Sequence, residues 1–437
     1  MRVSGTSAAA IAASIEKQVV AGAVGPEETL PTVRDLATSL RVSPATVAAA
    51  YKLLRGRGLA VGQGRRGTRL ASAGRVQGPL PGPQTVEVAA AGMDLATGNP
   101  DPALLPPVEG ALRAITALHE PYSPTPDRAL LAFAAAEFDA DGIPAGSIAV
   151  LGGALDAIER VLREHTRVGD RVGVEDPSFP GVLDLVSATG LAPVPIAMDG
   201  EGPLPDGMKQ ALAKGCRAVI VTPRAQNPTG AAIGAGRADA LRTLLRRHPD
   251  VVLIENDYLS AVAGAPAVTL SGSLKHWVAI RSTSKFLGPD LRVALMAGDA
   301  LTVARVQGRH ALGPRWVSRI LQRLVVALWS DPAGGRRLAR AAETYAARRT
   351  ALVEALAARD IHVIGRSGFN LWLPTRDEAH LVSALSDRGW AVAPGARFRV
   401  QAPPGIRITT SMLDPGDAGR LAAAVAESVD LRAAVLA

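Results

Sequence analysis

Between residues 147 and 283 short apolar runs recur: SIAVLG (147–152), RVGVED (171–176), RAVIVTP (217–223), VVLIEND (251–257) and HWVAIRST (276–283). Each has the length of a strand rather than a helix, and glycine, proline or polar residues close it. Amphipathic helical patterns lie between them. Strand and helix in strict alternation imply an α/β fold with a doubly wound sheet, and in such sheets ligands meet the carboxyl ends of the strands. The pattern starts near Met93, and after about Ala333 a long helical stretch leads into a smaller αβ region that begins HVIGRSGFNLWLP. At 437 residues the chain has room for two or three domains and a large core.

The first 70 residues read differently. In AAAIAASIEKQVVAG (8–22) Ile11, Ile15, Val19 and Val20 share one helical face. Pro31-Thr32 opens TVRDLATSL, a short helix with Val33, Leu36, Ala37 and Leu40 inward, and Arg41-Val42 make a turn. Ser43 is a good N-cap with Pro44 at the first helical position of SPATVAAAYKLLRGRG. LAVGQGRRGTRLA then reads as strand, Gly-rich basic tip and returning strand. Three helices and a basic hairpin describe a winged helix-turn-helix, mostly α, whose second helix of the turn unit fits the major groove and whose wing meets phosphate. Charge agrees: residues 1–75 hold eleven Lys/Arg and four Asp/Glu, 11 − 4 = +7 of the total +8. A basic head on a near-neutral body points to an acidic polymer as partner for the head.

Residues 71–92 are rich in Gly, Pro and Ala without helical period and read as a linker. If flexible, it spans roughly 26 Å. The domains expected are therefore 1–70, the linker, and 93–437. The single cysteine, Cys216, excludes an internal disulfide and fits a reducing compartment. No apolar run reaches the roughly 20 residues that span a bilayer, and no signal-peptide pattern appears. A cytoplasmic location is the expectation, with no membrane partner.

The spacing in LPTVRDLATSLRVSPATVAAAYKLLRGRGLAVGQGRRGT closely resembles the GntR family of bacterial regulators. The resemblance implies DNA contacts from Arg34, Ser43, Thr46, Arg65 and Arg66, with Arg34 and the wing arginines on phosphates. Where an arginine often follows the capping Ser/Thr in that family, this chain has Pro44-Ala45, which shifts weight from base readout toward threonine methyl contacts and DNA shape.

In the body five motifs stand in one order: LGGALDAIE (151–159), VEDPSFPG (174–181), TPRAQNPTG (222–230), IENDY (254–258) and RSTSKFLGPDLRVA (281–294). Order and spacing resemble the fold type I, pyridoxal-phosphate-dependent aminotransferases. Singly, each motif is a turn, a core residue or a surface charge; together they carry the resemblance. It implies pyridoxal 5′-phosphate as cofactor and Lys285, one of only six lysines against 42 arginines, as its covalent anchor. Gly153 and Ala154 at a helix N-terminus, with Ser282, Ser284 and Arg292, would cup the phosphate. Phe179 would stack on the ring, and Asn227 and Tyr258 would bond its phenolic oxygen. Tyr122 would reach the neighbouring subunit's phosphate, which implies a homodimer. Arg407 in GIRITTSML would grip an effector or substrate carboxylate.

Two departures matter. In gapless register the aspartate that keeps the pyridine nitrogen protonated in that family is replaced by Asn256. On a strand, residues 256 and 258 share a face and 257 points away. An amide carries no charge to hold a ring proton, so amine exchange at Lys285 survives while proton abstraction slows; a local shift of the strand end would bring Asp257 in instead. The segment YSPTP also lacks the glycine common a few positions after that tyrosine.

A GntR-like head, a linker and an aminotransferase-like body together resemble the MocR subfamily. This implies a pyridoxal-phosphate-dependent, DNA-binding transcription regulator that senses the cofactor itself or a small amine or amino acid. Two alternatives stay open: an active aminotransferase with an appended head, and a body that has lost its cofactor and only dimerises. As a regulator the protein would have at most weak transaminase activity.

Overall fold

The computed structural model describes residues 3–20, 24, 28–56, 60–62, 67–70, 92–115, 125–272 and 274–429. They form two compact units, one centred on the first 80 residues and one on the rest.

In the first unit α1 (Ala8–Val20), α2 (Val33–Leu40) and α3 (Pro44–Gly56) precede an antiparallel ribbon of β1 (Ala60–Gly62) and β2 (Thr68–Leu70). Thr32 caps α2, its Oγ1 accepting from the Asp35 amide at 3.2 Å, and Arg41 ends the helix in a left-handed turn at φ 54°. Ile11, Ile15, Leu36 and Ala37 fill the core, as the helical spacing predicts, joined by Val47, Tyr51 and Leu54 of α3, while Val19, Val33 and Leu40 pack partly buried against it. The Tyr51 hydroxyl donates to the Pro31 carbonyl at 2.8 Å, pinning α3 to the start of α2. One pairing was not legible: the Leu30 amide donates to the Thr68 carbonyl and the Leu70 amide to that of Glu28, so the chain before α2 adds a short edge to the ribbon.

The second unit opens with β3 (Met93–Leu95), α4 (Val108–Ala114) and α5 (Arg128–Ala140), followed by β4 (Ile148–Leu151) and α6 (Ala154–His165). Next come β5 (Arg171–Asp176), β6 (Ala192–Asp199), β7 (Gly202–Pro203), β8 (Cys216–Val221), β9 (Val252–Asp257), β10 (Trp277–Ser282) and β11 (Ala294–Gly298). They make one eight-stranded sheet in the order β4-β11-β10-β9-β8-β5-β6-β7. β5, β8, β9 and β10 run parallel, and β11 lies antiparallel between β10 and β4. All five apolar runs are strands of this sheet. Strand alternation puts Leu253, Trp277 and Ala279 into a core shared with α5 residues such as Leu130 and Phe138. Ile254, Asn256, Val278 and Ile280 alternate onto the other face, where α6 packs across the sheet through Ala157, Ile158, Val161 and Leu162.

The long helix Pro332–Ala357 leads to β12 (Asn370–Pro374), β13 (Trp390–Pro394) and β14 (Gly405–Thr409). Their sheet is completed by β3, which pairs parallel to β13. The smaller αβ layer is thus built from both ends of the body. Its core gathers Leu95, Leu371, Val392, Ile406 and Leu421. Among the described residues no helix is long and apolar enough to cross a membrane.

Candidate functional site

The carboxyl ends of β4, β9 and β10 converge with β14 on one region that holds most of the residues singled out above. Lys285 lies just past β10. Its Nζ donates to the Gly98 carbonyl at 2.9 Å and to Asn99 Oδ1 at 3.3 Å. Burial first, and the nearby Arg407 charge after it, together lower its amine to about 8. Arg407, on β14, is buried, its Nη1 donating to Asn227 Oδ1 at 3.1 Å and its Nη2 to the Ala96 carbonyl. Its guanidinium carbon sits 4.9 Å from the centroid of the Phe398 ring. No carboxylate forms an ion pair with it among the described residues; burial lowers its guanidinium to about 10, with Tyr258 and Asp94 opposing. A buried cation without a counter-ion is suited to an anionic ligand group. Gly98 adopts φ 66°, and a Cβ there would lie 2.9 Å from Arg407 Nη1, so the close approach requires glycine.

Tyr258 stands at the end of β9, its hydroxyl donating to the Ala225 carbonyl at 2.7 Å and accepting from Asn370 Nδ2 at 3.4 Å. Burial raises its phenol above the ordinary value, with Arg407 opposing. Lys285, Arg407, Asn227 and Tyr258 thus form one connected group, as the motif order predicts.

Three of the phosphate-cup candidates, Gly153, Ala154 and Arg292, meet at the start of α6. Gly153 has φ 125°, and a Cβ on it would fall 2.7 Å from Arg292 Nη2. The Arg292 guanidinium therefore lies directly against the backbone of the helix N-terminus that Ala154 begins. Ser282 and Ser284 are buried. The Ser284 amide donates to Ser282 Oγ at 3.4 Å, whereas Ser284 Oγ has no hydrogen-bond partner. Phe179 follows β5 and is 37% exposed. A Cβ on Gly181 would meet both its ring, at 2.5 Å, and Leu155 Cδ1, at 3.2 Å, so the phenyl ring stands beside the first turn of α6.

At the end of β9 the alternation is unambiguous. The Asp257 carboxylate takes Arg224 Nη2 at 2.7 Å and Nε at 3.1 Å, and accepts from the Ser260 amide at 3.0 Å. Arg281 Nε lies 3.4 Å away, and Arg281 and Arg224 share Asp141 as a second acid. Burial pushes the Asp257 carboxyl up, but the Arg224 and Arg281 guanidiniums outweigh it, so the group stays below the usual carboxylate range. Asn256 lies on the opposite face, 7% exposed, and its Oδ1 has no hydrogen-bond partner.

In the first unit Arg34 is exposed on α2. Ser43 Oγ accepts from the Thr46 amide at 3.1 Å and lies 2.9 Å from Thr46 Oγ1, so these two hydroxyls cap α3 together. Arg65, Arg66, Tyr122 and the linker up to residue 91 lie outside the described residues.

Sequence reasoning did not single out Gly98, Asn99, Asn370 or Phe398. The first two had a usable signal, the turn-forming GNPDP that follows β3. Asn370 and Phe398 sit in the small αβ layer and reach the group only through tertiary packing.

A family model described as "Aminotransferase class I and II" matches residues 92–425, and one described as "Bacterial regulatory proteins, gntR family" matches residues 7–70. The chain is 38% identical, over 98% of its length and 100% of the relative's, to the vitamin B6 salvage pathway transcriptional repressor PtsJ of Salmonella typhimurium. It is 26% identical, over 71% of its length and 66% of the relative's, to the HTH-type pyridoxine biosynthesis transcriptional regulator PdxR of Corynebacterium glutamicum. Among solved structures, the α-aminoadipate aminotransferase LysN of Thermus thermophilus superposes with a TM-score of 0.69, covering 81% of this chain and 96% of that one at 21% identity.

Proposed function

The chain belongs to the class I and II aminotransferase family and carries a gntR-family domain at its head, and from that membership we propose that it is a DNA-binding transcription regulator that reads vitamin B6 status. The observation that carries this reading is the match along the whole chain to a repressor of vitamin B6 salvage. Pyridoxal phosphate, or an amine presented on it, is the effector this reading assigns.

The residues present fit that group. Ser284 Oγ and Asn256 Oδ1 are buried polar atoms with no protein partner, Arg292 flanks a glycine that leaves no room for a side chain, and Lys285 is a lysine with a lowered pKa. Gly153, Ala154, Ser282, Ser284 and Arg292 would hold the phosphate. Phe179, Asn227, Asn256 and Tyr258 would hold the ring, and Lys285 would anchor it. When bound, pyridoxal phosphate supplies an aldehyde that amines exchange on. Lys285, lowered to about 8, keeps a larger unprotonated fraction near neutral pH than an ordinary lysine does, because its charge is poorly solvated. Arg407, whose Nε has no hydrogen-bond partner and whose guanidinium forms no ion pair among the described residues, is offered to a carboxylate on an incoming amine. Tyr258 and Asn370 orient each other beside the anchor. The gntR-type head supplies operator binding, with Arg34 on phosphate. A homodimer in the cytoplasm is the assembly and location assigned.

Occupancy changes DNA binding only in so far as the effector prefers one arrangement of the protein over another. Turning a 1:99 population into 99:1 needs a preference of about 10⁴. A second reading, an active aminotransferase with a regulatory head, draws on the same Lys285 and Arg407; Asn256 weighs against it. Borohydride reduction of protein incubated with pyridoxal phosphate, followed by peptide mapping, tests the site. A reduced adduct on Lys285 is expected. An adduct spread over surface lysines would remove the cofactor from the account.

A further inference from the structure

Asn256 occupies the one position in β9 that is buried, lies on the sheet face that α6 covers and has an unused side-chain atom. It is 7% exposed and its Oδ1 finds no partner. Strand pairing sets it opposite Ile280, two residues before Ser282 on the same face of β10. The two carboxylates beside it in the chain face the other way and are committed there. Glu255 accepts from the Leu270 amide at 2.7 Å, from Thr269 Oγ1 at 2.6 Å and from Ser271 Oγ. Asp257 is gripped by Arg224 and held close to Arg281. Turning Asp257 onto the Asn256 face would strip a buried carboxylate from two buried guanidiniums, which is strongly unfavourable. The local shift that the sequence left open is therefore closed by the Arg224–Asp257 pair.

We infer that Asn256 holds the ring nitrogen of bound pyridoxal phosphate through a neutral hydrogen bond and keeps that nitrogen unprotonated, which makes the pocket a receptor for amines rather than a catalyst. The inference rests on the cofactor reading proposed above. A side-chain amide can donate to an unprotonated pyridine nitrogen, but it brings no negative charge to stabilise a protonated one. Its two polar ends interchange by a half-turn, so the amino group can serve the ring wherever the oxygen now points.

The division of chemistry follows. Exchange at Lys285 needs no ring proton. The ligand nitrogen bonds to the aldehyde carbon as the bond to Lys285 Nζ breaks, the two protons of the ligand amine pass to the lysine nitrogen, and no electrons enter or leave. Removing a proton from the ligand's α-carbon is different, because the electron pair left behind must flow into the ring, and an uncharged ring accepts it poorly. The pocket would take up a primary amine whose carboxylate meets Arg407, hold it, and return it unchanged.

The test uses full-length protein loaded with pyridoxal phosphate enriched in ¹⁵N at the ring nitrogen. Borohydride trapping of a portion first locates the label. Nitrogen NMR then reads ring protonation between pH 6 and 9, in the wild type and in Asn256→Asp. The wild-type nitrogen should stay at the unprotonated position throughout. In Asn256→Asp it should move to the pyridinium position, with a protonated fraction about tenfold or more higher at any given pH. Only the variant should then convert its cofactor to pyridoxamine phosphate with amino acids. A pyridinium signal in the wild type with the label on Lys285 would overturn the inference and leave the cofactor reading standing. An unchanged nitrogen signal in a folded Asn256→Asp protein would also overturn it. No label on Lys285 would remove the cofactor reading and the inference together. Should Asn256→Asp not fold, the wild-type signal alone decides.

Discussion

Gly153→Ala is the sharpest probe of the phosphate cup, because its neighbour Gly152 supplies a control. At Gly153 the backbone holds φ 125°, and an added Cβ would stand 2.7 Å from Arg292 Nη2 and 3.3 Å from its Cζ. Ordinary contact begins near 3.4 Å, so Arg292 must retreat by 3.4 − 2.7, about 0.7 Å. A non-glycine residue in such backbone costs about 1–3 kcal/mol. That cost divides between two readouts. If the variant keeps the backbone, folding stability falls. If the backbone relaxes, the amide N–H groups at the start of α6 turn away and Arg292 shifts, and cofactor binding has to restore both. At about 1.4 kcal/mol per factor of ten, the affinity then falls by about 5- to 150-fold. Absorbance titration of the apo-protein with pyridoxal phosphate, alongside thermal melting, measures both parts. At Gly152 φ is ordinary and the nearest atom to an added Cβ is Asp156 Oδ2 at 3.4 Å, so Gly152→Ala should titrate and melt like the wild type. Wild-type affinity and melting in Gly153→Ala would refute the reasoning, since neither the backbone nor Arg292 would then matter to the site.

Only an unprotonated lysine attacks an aldehyde, and Lys285 is lowered to about 8. The stopped-flow rate of cofactor attachment should therefore climb about tenfold per pH unit below 8 and level off above it, whereas an ordinary lysine would keep climbing to about 10.4. Asp257→Ala leaves Arg224 and Arg281 ion-paired, among the described residues, to Asp141 and should destabilise the body by about 3–5 kcal/mol, read as an earlier urea transition in the apo-protein. Arg34→Ala should weaken DNA binding uniformly across sequences and reduce the salt slope by about 1; an unchanged slope in fluorescence anisotropy would take Arg34 off the phosphates.

Much of this was legible in the sequence because the signals are local. Runs such as RAVIVTP and VVLIEND are strand-length, so the core strands of the large sheet could be read directly, and α1 to α3 followed from helical spacing, the Pro31-Thr32 opening and the Ser43 cap. The motifs, with the late Arg407, named Lys285, Asn227 and Tyr258, and the fold brings these four into one region. What stayed hidden depends on contacts between distant residues. That β3 completes the small sheet beside β13 is a register between residues 93–95 and 390–392, and no local pattern announces it. Gly98 and Asn99 matter because β3 delivers the following turn to Lys285. The commitment of Asp257 to Arg224 could not be inferred either, because the two charges meet only once β8 and β9 lie side by side. Strand alternation still gave the correct half of that answer, since it set Asn256 and Asp257 on opposite faces.

The central claim is that occupancy at Lys285 governs what the head does on DNA. The most direct measurement is genomic-fragment selection with the full-length protein, followed by binding isotherms on the selected site with and without pyridoxal phosphate, for the wild type and for Lys285→Ala. The account predicts that cofactor changes the wild-type affinity by about tenfold or more, a coupling of about 1.4 kcal/mol, and that Lys285→Ala binds the same site like the apo wild type and ignores the cofactor. Equal affinity in all four isotherms would contradict it, and so would a cofactor response that survives Lys285→Ala undiminished.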